Sequence, residues 1–157
     1  MIQRKQTLFL ALAAAVAALA NLFPFATYTV GDLQVVFRST GLFLGDGTVL
    51  EEASPKVPFA AVLGLLAVLP LVTIFFYKDR TRQVRFVRFT YLLSLGALAF
   101  AVITDRSIQV FMSGRGAVEV AYGAAFAAPV LVLVMAFLAE RGIRKDEALI
   151  RSMDRLR

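Results

Sequence analysis

Cysteine, histidine and tryptophan are absent from the 157 residues. Lack of cysteine excludes disulfides, thiolate nucleophiles and iron–sulfur ligation, and lack of histidine removes the commonest metal ligand and general base. Most catalytic constellations are thereby ruled out, so no cofactor and no enzymatic activity are expected. Acid is scarce as well: 11 Asp and Glu stand against 17 Lys and Arg, a net charge of +6. In a soluble protein such an excess would point to nucleic acid or another polyanion. Here the placement of the charges argues against nucleic acid, because they are nearly excluded from four long apolar stretches in a chain that is 59% hydrophobic.

The most informative stretch runs from Pro58 to Thr104. Pro58 to Tyr77 holds no charge, and a helix of that length crosses roughly 30 Å of hydrocarbon. Phe86 to Thr104 repeats the pattern, with Arg88 close enough to its start to reach back to the headgroups. The connector carries Lys78, Arg80, Arg82 and Arg85 against one acid, Asp79. Short loops dense in Lys and Arg stay on the cytoplasmic side. Arg4, Lys5, Lys78, Arg80, Arg82, Arg85 and Arg88 therefore read as topology anchors, and both termini are expected inside. The same basic loop also offers a surface to anionic lipid.

With two further stretches, four spans are expected at about 7–23, 58–77, 86–104 and 120–139, in a single integral membrane domain covering 1–157. The first span could instead be a cleaved signal peptide, since Ala18-Leu19-Ala20 has the form of a cleavage site. The apolar run continues through Leu22-Phe23, which favours a retained span. Ala11, Ala14, Ala15 and Ala18 are expected to allow close helix approach, and Pro129 to kink the fourth span. The deepest polar side chains, Asn21, Thr73, Thr90 and Ser94, are all within reach of helix backbone.

The segments between spans on the outer side, 24–57 and 105–119, read as strand. Phe25 to Val30 and Leu33 to Phe37 flank Gly31-Asp32, a pair suited to a two-residue hairpin turn. That turn would pair Val30 with Leu33, Tyr28 with Val35 and Ala26 with Phe37, giving one apolar face and one bearing Thr27, Thr29, Gln34 and Arg38. A second, shorter hairpin is expected around Gly45-Asp46-Gly47. Ile108 to Met112 and Ala117 to Tyr122 are also strand-like, and a strand from here joining the ribbon would make a small antiparallel sheet over the helices. The expected fold is thus a four-transmembrane-helix bundle with a sheet built from the two outer loops and a cytoplasmic helical tail.

Outer acids could act as an acid and base pair, and Asp46 with Glu51 and Glu52 could offer oxygens to calcium. Asp46-Gly47 is ordinary turn chemistry, however, and Glu51-Glu52 lacks a ligand-loop spacing, so no metal site is expected. Asp105 and Arg106 read as anchors of a helix end. In the tail, 140–157, Glu140 with Arg144 and Glu147 with Arg151 are acid-to-base pairs four residues apart. Leu149, Ile150, Met153 and Leu156 fall on one stripe of that helix, which needs a partner surface.

The opening Met1-Ile2-Gln3-Arg4-Lys5-Gln6-Thr7 and the closing run from Arg144 to Arg157 resemble a bacterial family of small inner-membrane proteins known only as a domain of unknown function. The resemblance implies four spans with both ends inside and implies no activity. It marks the cytoplasmic tail as an interaction surface, with Asp146, Glu147, Arg151, Asp154 and Arg155 as polar candidates beside the apolar Leu149, Ile150, Met153 and Leu156. In layout alone, the chain is similar to the claudin-type arrangement, but it lacks the first-loop tryptophan and cysteine pair of those proteins, so no junction-forming role carries over. The reading that follows is a non-enzymatic accessory or scaffolding subunit of the inner membrane, binding a membrane or cytoplasmic protein. The alternatives are a carrier of a lipid or apolar small molecule and, third, an enzyme using outer-face carboxylates.

Overall fold

The computed structural model describes residues 5–50 and 57–154, with side chains as far as Ala148 at the C-terminal end. Four helices and four strands occur among these residues: α1 (Lys5–Ala20), β1 (Ala26–Val30), β2 (Leu33–Arg38), β3 (Gly41–Leu44), α2 (Phe59–Phe75), α3 (Arg80–Ser113), β4 (Glu119–Tyr122) and α4 (Ala124–Asp154). Helix α1 packs on α2 and α4, and α3 packs on the same two, so the helices form a closed ring of neighbours. Helices α3 and α4 are long and apolar enough to cross a membrane; α1 and α2 are shorter apolar helices.

Helix α3 owes its start to Asp79, whose carboxylate accepts from the Arg82 backbone N–H at 3.1 Å and so satisfies one orphan donor of the first turn. Its end departs from the expectation of an outer loop over 105–119. The helix continues to Ser113, and Ile108 to Met112 are helical rather than extended. The reason lies in spacing: Ser94, Ala97, Ala101, Asp105, Ile108 and Met112 recur at three and four residues and are all buried, a period no strand can satisfy. The fourth helix likewise begins later than expected, at Ala124, because Val120 to Tyr122 belong to β4.

The four strands form one antiparallel sheet in the order β3-β2-β1-β4. The hairpin register is the one the alternation implied: Val30 opposite Leu33, Tyr28 opposite Val35, Ala26 opposite Phe37. Gly31 has φ of 56° and no other residue type has positive φ among the described residues, so the turn places its one left-handed residue where no Cβ interferes. Strand β4 pairs with β1 through Thr29 and Glu119 to Ala26 and Tyr122. The second hairpin is shorter than a full ladder; Phe43 bridges to Val49 and the Leu50 N–H donates to the Leu42 carbonyl at 2.9 Å. Glu51, Glu52 and Pro55 lie outside the described residues.

The sheet's apolar face, Ala26, Tyr28, Val30, Val35 and Phe37, is buried against the helices in one continuous core. Phe25, Phe37 and Phe59 meet with ring centroids 4.9 to 5.3 Å apart, joining the hairpin to the start of α2. Strand β4 passes into α4 through Gly123, where a Cβ would overlap the Pro24 carbonyl. Helix α1 turns Gln6, Leu10, Ala13, Ala14, Ala17 and Ala20 inward. Of the four alanines expected at helix contacts, only Ala14 is among them; Ala11, Ala15 and Ala18 face outward.

Replacing Ala17 by Leu should therefore force methylenes into a filled contact and cost about 1–3 kcal/mol of stability, whereas Ala18→Leu should cost almost nothing. Thermal unfolding in detergent reads the difference, and equal shifts for the two variants would contradict this packing.

Candidate functional site

Two buried carboxylates, one toward each end of the helices, organise the polar chemistry. At the sheet end is Asp105, 3% exposed. It lies on the inward stripe of α3, so helical periodicity alone carries this acid inside; it does not terminate a helix, as its position in the chain had implied. The Tyr28 hydroxyl donates to its Oδ1 at 2.7 Å, and Gln109 Nε2 and the Tyr122 hydroxyl donate to Oδ2 at 2.8 and 3.2 Å. Donors from β1, α3 and β4 thus replace water around the carboxylate. Burial, and then the hydrogen bond to Asp105 and its negative charge, push the Tyr28 phenol well above its ordinary 10.0. The cluster is a clasp between sheet and helix.

At the opposite end is Glu140 on α4, 7% exposed. The sequence places it in the tail, but the fold places it on the interior face. Its Oε1 accepts from Arg88 Nε at 3.0 Å and from Arg144 Nε and Nη2 at 2.8 and 2.7 Å. Arg88 comes from α3, 52 residues earlier, and Arg144 from the next turn of α4, which realises the acid-to-base pair read from spacing. One oxygen therefore sets the separation of two guanidinium groups across the seam between α3 and α4. Beside it a groove of about 410 Å³ is lined by Thr81, Val84, Arg85, Arg88, Arg144 and Glu147. Arg88 had been expected merely to reach the headgroups; it is an ion-pair partner as well.

Most of the polar side chains expected deep in the helices bond to backbone carbonyls. Asn21 Nδ2 donates to the Ala17 carbonyl, Thr73 Oγ1 to Leu69, Thr90 Oγ1 to Phe86, and Ser94 Oγ to the Pro129 carbonyl on α4. The backbone N–H and hydroxyl of Thr48 donate to Asp46 and hold its carboxyl below the usual range. No group of three or more Asp and Glu that could hold a metal ion occurs among the described residues. Gln83 donates through Nε2 to the Thr73 carbonyl at 3.3 Å while its Oε1 is buried without a partner, as is Gln6 Oε1.

Lys5, Lys78, Arg80, Arg82, Arg85 and Arg88 all stand at the end of the helices away from the sheet, the arrangement their order in the chain requires. Arg4 lies outside the described residues. Asp146 and Glu147 are half-buried on α4. Leu149, Ile150, Arg151, Met153 and Asp154 are on the same helix, but their side chains, with Arg155 and Leu156 entirely, fall outside the described residues.

A family model, Domain of unknown function (DUF4293), matches residues 2–156. The chain belongs to the DUF4293 family. No curated protein matches the chain. The DUF4293 designation carries no activity, so the chemistry of this chain rests on its own residues. Sequence reasoning missed the Asp105 clasp and the Arg88 side of the Glu140 bridge. The stripe that contains Asp105 could have disclosed the first, since an acid at the fourth position after Ala101 faces the same way.

Removing the Tyr28 hydroxyl should cost about 1–3 kcal/mol, because the Asp105 carboxylate loses a buried donor. The folded protein holds the Tyr28 proton more tightly than the unfolded chain does, so its contribution is complete below pH 10.0 and falls as pH rises above it. Unfolding followed between pH 8 and pH 12 should show that alkaline loss in the native protein and a shallower slope in Tyr28→Phe.

Proposed function

We propose that this protein is a four-span integral protein of the bacterial inner membrane, with the basic end cytoplasmic and the sheet outside, and that it serves as a non-enzymatic accessory subunit. The observation that carries the membrane reading is the distribution of large apolar side chains. Only 28% of the most apolar window of α3 and 39% of that of α4 is buried within the protein, whereas the core helix of a water-soluble domain is mostly covered. Leu8, Leu12 and Leu19 on α1, Leu65, Val68, Leu71 and Phe75 on α2, Leu92, Leu95 and Phe100 on α3, and Val130, Leu131, Val134 and Phe137 on α4 point outward. That is an apolar belt around the whole ring, and lipid is the solvent that suits it.

Length supports this reading for α3 and α4, which are long and apolar enough to cross a membrane, although the charge-free part of each is shorter than roughly 30 Å of hydrocarbon. Phe89 to Thr104 on α3 and Ala124 to Ala139 on α4 carry no charge, and each rises roughly 24 Å, as does α1. Turns carry the apolar chain on from α1 through Phe23 and from α2 through Phe76. Lys and Arg concentrate at the end opposite the sheet, which favours a cytoplasmic position for that end. Beyond Glu140, α4 continues unbroken to Asp154, about 20 Å of helix past the apolar section. The continuation of α4 past the apolar section, with Leu10, Leu63, Leu66, Val87 and Val132 packed among the helices, supports an accessory role over carriage of a ligand among the helices.

Because the chain has no cysteine, single-cysteine variants test the topology directly. Asp32→Cys should react with a membrane-impermeant thiol reagent on intact cells, and Arg82→Cys only after the membrane is opened; the reverse pattern would overturn the orientation. The accessory role is tested by purifying the protein in mild detergent with and without residues 149–157, a deletion that spares the Glu140 bridge. A partner should co-purify with the full chain and be lost on truncation.

A further inference from the structure

The groove between α3 and α4 has the features of a headgroup site, and we infer that it binds the phosphate group of an anionic phospholipid in the leaflet on the basic side. The inference rests on the four-span reading for its lipid, and on the groove itself for its chemistry. Arg85, Arg88 and Arg144 line one concavity of about 410 Å³. Three guanidinium groups so close would ordinarily repel one another and splay into water. Glu140, buried behind them, prevents this for two of the three by accepting from Arg88 and Arg144 through the same oxygen. Each arginine carries five N–H donors. The bridge uses Nε of Arg88 and Nε with Nη2 of Arg144, so N–H groups remain on both for a second acceptor.

The position of the groove fits a lipid better than a free anion. Leu92 stands one turn past Arg88 on α3 and is 61% exposed, and Phe137 stands two turns before Arg144 on α4 and is equally bare to the surroundings. An acyl chain leaving a phosphate held between Arg88 and Arg144 would run along these side chains. Thr81 adds a hydroxyl that can donate to a phosphate oxygen. Charge selects among anions: the three arginines face Glu147 on the groove wall and Glu140 behind it, leaving a small positive excess. That excess suits a phosphodiester of single charge, and basic pockets between spans on the cytoplasmic side are a recurrent way to hold such headgroups. A polyphosphate or nucleic acid would require more uncompensated arginine.

The test uses the full chain in a zwitterionic detergent, with bound lipid counted by native mass spectrometry during titration with phosphatidylglycerol or phosphatidylcholine. Phosphatidylglycerol should bind in preference to phosphatidylcholine. Arg85→Gln is the decisive variant because it leaves the Glu140 bridge intact, and it should weaken phosphatidylglycerol about fivefold. Lys145→Gln, exposed on α4 and off the groove wall, should leave the affinity unchanged. Equal losses in the two variants, or equal binding of the two lipids, would overturn the site. Full displacement of the lipid by millimolar inorganic phosphate would also overturn it, as the ligand would then be a soluble phosphate. Micelles expose the groove whichever way the protein sits in a cell, so a wrong topology and a wrong site give different results.

Discussion

Helices α1, α3 and α4 meet largely through the methyl groups of alanine. Ala13 and Ala17 on α1, Ala97 and Ala101 on α3, and Ala128 and Ala136 on α4 are buried almost without exposure, while leucine and phenylalanine on the same helices, Leu10 excepted, are half-buried or exposed. In the membrane setting proposed for this chain, burying a large apolar side chain would gain little, because hydrocarbon would already surround it. What remains to hold the helices together is close contact, and small residues permit it. Polar interactions that join one element to another gather mostly toward the two ends, with the Ser94 hydroxyl donating to the Pro129 carbonyl between α3 and α4 as the exception along the apolar section.

Those ends are built on the same chemical device. Asp105 gathers hydroxyl and amide donors from β1, β4 and its own helix, and Glu140 gathers guanidinium donors from α3 and α4. In each case a buried carboxylate is stabilised only because donors from separate parts of the chain converge on it. Neutral donors surround Asp105, and the result is a rigid junction that fixes the sheet over the helices. Two guanidinium groups, together with the Tyr91 hydroxyl, surround Glu140, and the result is a pair of arginines held facing a groove.

Much of the sheet was legible in the chain. Alternation along Ala26 to Val30 and Leu33 to Arg38, with Gly31 at the turn, leaves one register that buries a single face, and slipping β2 by one residue would turn Val35 and Phe37 outward while Tyr28 stayed inside. The extent of α3 was read less well. Ile108 to Met112, taken alone, has the composition of a strand, and only the longer stripe from Ser94 through Asp105 reveals the helical period. On α1 the alanines are so numerous that composition could not choose a face; contact with α2 and α4 chose it.

What the sequence determined by itself are the local features: lengths without charge, a basic connector and a hairpin register are carried by neighbouring residues and their periodicity. The tertiary structure decided which acids are buried and what holds them. Glu140 looks like any first residue of a charged tail until Arg88, far away in the chain, is brought across from α3, and Asp105 looks like a loop acid until Tyr28 and Tyr122 close over it from the sheet. Desolvation and hydrogen bonding depend on every group that converges on a point in space, and that convergence is fixed by packing between elements rather than by order along the chain.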